Sequence, residues 1–115
     1  KMRELIHKLA NNYFINFEKK NIHGLSEMFD DNISLFDPVV QNVVGKKNVL
    51  KVNKDMFDTH DEIKFTMKEI FVDASKMTAI GEVEFFLGKT KINVVDIIKF
   101  NKDMKIISIN AYLDT

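Results

Sequence analysis

The chain has 115 residues, 45% of them apolar, enough for one domain built on one core. Seventeen basic and seventeen acidic side chains cancel, and Arg3 is the only arginine, so neither a basic field nor bidentate arginine contacts speak for nucleic acid as a partner. There is no cysteine, which excludes disulfides and thiolate sites and fits a cytoplasmic location, and no apolar run approaches the roughly 20 residues of a membrane span.

In chain order, residues 2–20 place Leu5, Ile6, Leu9, Tyr13, Phe14 and Phe17 at helical spacing on one apolar stripe. The stripe breaks over Asn21–Gly24, and a short second helix is predicted over 22–30, carrying Leu25, Met28 and Phe29. Residues 32–37 alternate, with Ile33, Leu35 and Asp37 on one face. Pro38 ends this strand because it has no ladder donor and forces Asp37 into an extended conformation. A loop is expected over 38–45, then a third helix over 46–59 presenting Val49, Val52, Met56 and Phe57 on one side.

Everything after Asp61 reads as strand, near 62–73, 76–87, 90–101 and 104–113. The breaks at Asp73-Ala74-Ser75, Gly88-Lys89 and Asn101-Lys102-Asp103 are turn chemistry and too short for anything but antiparallel neighbours. In the first of these strands the apolar set slips by one residue, from Ile63, Phe65 and Met67 to Ile70 and Val72, which predicts a β-bulge and a bent sheet. Three helices that must bury their stripes on one face of such a sheet make an α+β architecture.

One residue breaks the pattern. In the strand over 90–101, Ile92, Val94, Asp96, Ile98 and Phe100 share the more apolar face, so Asp96 points into the core. A buried carboxylate without partners shifts its pKa and protonates. Two readings stand for Asp96, a structural acid bonded to its neighbours or a functional group. Asp37 likewise reads either as a turn former before Pro38 or as a functional carboxylate at a strand's end. Tyr13 reads as plain core, its hydroxyl reaching a partner. The three histidines, His7, His23 and His60, show no ligand spacing and do not argue for zinc. VVGKKN lacks the glycine pattern of a phosphate loop.

Taken together, NNYFINFEKKNIHGLSEMFDDNISLFDPV, VVGKKNV and VVDIIKFNKDMKIISINAYL resemble the nuclear transport factor 2-like superfamily, in its ketosteroid isomerase and SnoaL-like polyketide cyclase branches. The resemblance spans essentially the whole chain, including the order of elements. It implies a cone, a bent antiparallel sheet wrapped around helices with an apolar pocket at the open end. The isomerase members make an oxyanion hole from a tyrosine on the first helix and a protonated aspartate on a late strand, and move the proton with an aspartate that precedes a proline. The neutral aspartate of that system is a worked example in general accounts of pKa tuning. The resemblance puts Tyr13, Asp96 and Asp37 in those three roles, with no cofactor and no metal. The extra pocket tyrosine of some isomerases has no match; Phe29 and Phe57 stand in that region.

The implied activity is proton abstraction beside the carbonyl of a small apolar molecule, with Phe14, Phe17, Phe36, Val39, Phe57 and Phe85 lining the cone as substrate-binding residues. Asp37 should then be unpaired. If Asp37 is tied up as a turn cap, a non-catalytic small-molecule-binding domain fits better. If large side chains such as Phe14, Phe36 and Phe85 fill the cone, a scaffold domain does. The strand over 90–101 is apolar on both faces at Val94-Val95 and Ile97-Ile98, and Ile107 and Ile109 are expected to extend the outer patch. An uncovered apolar sheet face predicts a homodimer.

Overall fold

The structure is a computed structural model and describes residues 1–114. The N-terminal stripe folds as helix α1 (Met2–Glu18), which buries Ile6, Ala10, Tyr13, Phe14 and Phe17; Leu5, at the stripe's start, stays 40% exposed. Asn21 caps α2 (Ile22–Met28) by accepting from the Gly24 N–H at 3.0 Å. Phe29, expected at the end of that helix, instead opens strand β1 (Phe29–Asp37).

The predicted loop over 38–45 contains a further strand, β2 (Gln41–Val44), paired antiparallel with the end of β1. Gln41 takes a left-handed conformation (φ 64°) and turns the chain back so that it pairs with Asp37. Helix α3 (Lys46–Thr59) follows, and β3 (Ile63–Asp73), β4 (Thr78–Leu87), β5 (Thr90–Phe100) and β6 (Ile106–Asp114) complete the chain. The Lys20 ammonium donates to the carbonyls of Phe57, His60 and Asp61, placing a cation at the negative end of α3.

The six strands form one curled, unclosed sheet in the order β2-β1-β6-β5-β4-β3. The sheet is not wholly antiparallel as expected: β1 runs parallel to β6, the last strand of the chain. The β3–β4 register shifts between Met67 and Glu69, where the one-residue slip in the apolar pattern predicted a bulge. Strand β3 is an edge, and α1 covers it with polar contacts. Arg3 Nη1 donates to the Val72 carbonyl at 2.9 Å, and the Phe65 N–H donates to Glu18 Oε2 at 2.7 Å.

The three helices pack on one face of the sheet, and the core lies between them. Ile33, Leu35, Val83, Phe85, Val94, Ile98, Phe100 and Ile109 are buried there. Ile109 therefore does not extend the outer patch. It pairs with Ile98 and with Leu35, both inward-facing, and is 2% exposed. The outer face keeps Val95 and Ile97 half-buried, with Tyr112 and Phe71 about half exposed.

Candidate functional site

Helical spacing carries the first wall of the site. Tyr13 and Phe17 are one turn apart on α1, and their ring centroids lie 6.0 Å apart. Phe17 meets Phe57 edge-on at 4.9 Å, and Phe65 stacks on Phe85 at 4.8 Å with an interplanar angle of 21°. Of these rings, Tyr13, Phe17, Phe65 and Phe85 face one cavity.

Strand alternation carries the second wall. Asp96 stands on β5 between Val94 and Ile98, all three turned inward, and is 6% exposed. Its partners in the ladder are Gly81 on one side and Ala111 on the other, so small residues flank the carboxyl. Phe14 fills the space over Gly81, where a Cβ would come within 2.7 Å of its ring.

Asp37 ends β1. Its Oδ1 accepts from the Val39 N–H at 2.7 Å and the Val40 N–H at 3.1 Å, so this carboxylate caps the turn that Pro38 begins. Asp37 is therefore not unpaired as the enzymatic reading expected, because the residue before Pro38 caps its own turn; the cap fixes the orientation of the group and uses one oxygen. Oδ2 has no hydrogen-bond partner among the described residues.

Tyr13, Asp37 and Asp96 line one cavity of about 70 Å³. Phe17, Leu35, Phe85, Val94, Ile109 and Ala111 form its buried interior, and Asp37, Val52, Met56, Phe65 and Leu113 its half-exposed mouth. Neither the Tyr13 hydroxyl nor the Asp96 carboxyl bonds to another group among the described residues, so both are left for whatever enters. Of the other residues expected to line the cone, Phe17 and Phe85 do. Phe14 and Phe57 are buried but pack outside the cavity lining. Phe36 is half-buried opposite Asn42 and Asn110 on the other face of β1, and Val39 lies on the turn, 78% exposed.

The electrostatics of the cavity follow from burial. Asp96 is pushed up to about 7, first by its removal from water and then by the negative charge of Asp37. The Tyr13 hydroxyl is raised well above its ordinary range by burial, then by the charges of Asp96 and Asp37. Burial is the larger cause in both, and the smaller charge contributions come from Asp37 and Asp96 facing the same space. Tyr13 is thus a hydrogen-bond donor at any physiological pH, and Asp96 remains a donor over a pH range in which an ordinary aspartate is fully ionised.

The reading of the sequence missed the α3 contribution, Val52, Asn53 and Met56, and the inward strand residues Leu35, Phe65, Val94, Ile109, Ala111 and Leu113. Asn53 carried a usable signal. It lies four residues after Val49 and four before Phe57, a polar residue on a buried stripe, as Asp96 is on its strand.

The SnoaL-like domain family matches residues 10–109, most of the chain. The chain belongs to the SnoaL-like family. Among curated proteins none matches it. Solved structures share the SnoaL-like fold closely. A proposed ketosteroid isomerase from Kribbella flavida has a TM-score of 0.86 at 16% identity, covering 98% of this chain and 80% of its own. A SnoaL-like protein of unknown function from Burkholderia thailandensis has a TM-score of 0.87 at 8% identity, covering 98% and 97%. A steroid delta-isomerase from Pseudomonas aeruginosa has a TM-score of 0.76 at 14% identity, covering 96% and 80%. At these identities the likeness establishes the SnoaL-like fold and leaves the chemistry to the site.

Proposed function

We propose that this SnoaL-like domain is an acid–base enzyme of the ketosteroid isomerase type, acting on a compact, mostly apolar carbonyl compound. The observation that carries the reading is the convergence of Tyr13, Asp37 and Asp96 on one cavity. The substrate's carbonyl oxygen meets Tyr13 and protonated Asp96 inside the cavity. Asp37, through its free Oδ2, takes a proton from the adjacent carbon. The electron pair of that C–H bond moves toward the oxygen, giving an enolate to which Tyr13 and Asp96 donate. In a substrate with a β,γ double bond the enolate is a dienolate, and the proton returns from Asp37 to the γ carbon as the double bond moves into conjugation; in a simple ketone it returns to the α carbon, so atoms and charge balance within the site. One donor of this kind typically lowers the barrier by about 2.7–4 kcal/mol, because it is already oriented before charge develops.

The size of the cavity limits the substrate. Drug-sized ligands occupy roughly 300–1,000 Å³, and an engineered cavity of about 150 Å³ admits benzene. A space of about 70 Å³ admits only a few heavy atoms. A steroid does not fit unless side chains such as Met56, unbranched and adaptable, move aside. The reactive end of a small ketone does.

Two observations favour a second reading, binding without turnover: the small volume and the use of Asp37 Oδ1 as a turn cap. Solvent deuterium exchange into butanone, alongside NMR titration with the same ketone, separates the two. Exchange that disappears in Asp37→Asn and Tyr13→Phe supports the enzyme. Butanone binding without exchange supports the binding domain, and the absence of both leaves a scaffold.

The same proposal pairs two copies through the outer sheet face. Val95, Ile97 and Tyr112 lie there among charges of both signs, Lys68, Glu82, Glu84, Lys91 and Lys99, a mixture that suits a self-complementary two-fold contact. Sedimentation at micromolar concentration should give the dimer mass; a monomer would count against the pairing.

A further inference from the structure

Helix α3 aligns Val49, Asn53 and Phe57 at a spacing of four, and all three are buried. Asn53 is 5% exposed, and its Nδ2 is fully enclosed with no hydrogen-bond partner among the described residues. It lines the same cavity as Tyr13, Asp37 and Asp96, but from the helical wall, where Asp96 stands on the sheet. An enclosed, unpaired amide N–H weakens a fold, and leucine would fill this stripe without that cost. Asn53 lines the cavity, and a half-turn of its amide brings the enclosed N–H to the cavity side, where it finds its partner in whatever occupies the cavity. An amide N–H calls for an acceptor, and the remaining lining of that wall offers only the weak thioether acceptor of Met56.

We infer that Asn53 is a specificity-determining residue whose amide donates to a second oxygen of the ligand. The cavity then takes a compact carbonyl compound bearing another oxygen acceptor a few bonds from the first. This rests on the reading of Tyr13 and Asp96 as the groups that hold the first oxygen. Two anchors on different walls fix the ligand's long axis, which one anchor cannot do, and so fix which carbon faces Asp37 at the mouth.

The test uses the whole chain and two probes of one carbon skeleton, pentane-2,4-dione and pentan-2-one, titrated by NMR. The wild-type protein should bind the dione at least about tenfold more tightly, the effect of one buried hydrogen bond to the ligand. The Asn53 side-chain amide resonances should shift with the dione and stay in place with the monoketone. Asn53→Leu should reduce the preference to within about twofold while still binding pentan-2-one, and should melt no lower than wild type, because it removes an unpaired polar atom. Where leucine overfills the site and the variant does not fold, Asn53→Ala carries the same comparison. Equal affinities in the wild type, a preference that survives in the variant, or failure of both probes to bind would each overturn the inference. If the dione preference is present and lost in the variant while butanone exchange is silent, the catalytic reading fails and the role of Asn53 stands.

Discussion

Replacing Asp96 by asparagine tests the electrostatic core of the site without knowledge of any substrate. Asparagine keeps the size and shape of the protonated acid and cannot ionise. In the folded chain Asp96 titrates at about 7, against an ordinary value of 3.8. Between those values the native state holds a proton that the unfolded chain has released, so unfolding becomes easier as pH rises. The difference of about 3 in pKa, at 1.36 kcal/mol each, amounts to about 4 kcal/mol once both states are ionised. Much of it falls in an accessible window: integrating the linkage from about pH 5 to about pH 8 gives a loss of about 2.5 kcal/mol in the wild type. Asp96→Asn lacks this loss, and titrations shared by the two proteins cancel in their difference. Urea unfolding of both proteins across that window should show the variant gaining on the wild type by roughly this amount as pH rises, mainly through the denaturation midpoint. A stability difference that stays flat with pH would mean that Asp96 is ionised in the folded chain, and the donor assigned to it would be lost.

Asp37→Asn preserves the turn cap, because the amide oxygen can accept the same two N–H bonds, but removes the negative charge facing Asp96. The Asp96 midpoint, followed by carboxyl carbon NMR, should fall below about 7 yet stay above the ordinary range, since burial is the larger cause; an unchanged midpoint would mean the two groups do not share a cavity. Gly81→Ala drives a methyl to within 2.7 Å of the Phe14 ring, which is held edge-on to Tyr13 and Phe65, and should cost about 1–3 kcal/mol in urea unfolding. An unaltered midpoint there would show that the ring has room to move. Lys20→Met keeps the stem but withdraws the ammonium from three carbonyls, and should cost about 1 kcal/mol and speed amide exchange at the C-terminal end of α3. Exchange rates equal to wild type would assign the capping to solvent.

What the sequence by itself determined was mostly periodic or punctuated. The helical stripes, the alternation around Asp96, the slipped apolar set at Met67 and the Asp37-Pro38 stop each depend on neighbours a few residues away, and backbone geometry converts such spacings directly into faces and breaks. That an acid on an apolar strand face would be buried with a perturbed pKa followed from the same alternation. Tertiary structure alone decided the rest. Strand β2 has four residues, three of them exposed, and pairs only because Gln41 turns the chain back on β1. The parallel pairing of β1 with β6 joins segments about seventy residues apart, beyond any local pattern. Whether Ile109 faced the core or a partner depended on its ladder neighbours, Ile98 and Leu35. The volume left between the rings of Phe17, Phe65 and Phe85 is the residue of packing three elements together, and a sequence lists rings without saying how much space they leave. That remainder, about 70 Å³ with the unpaired Asn53 in its wall, sets what this SnoaL-like domain can admit.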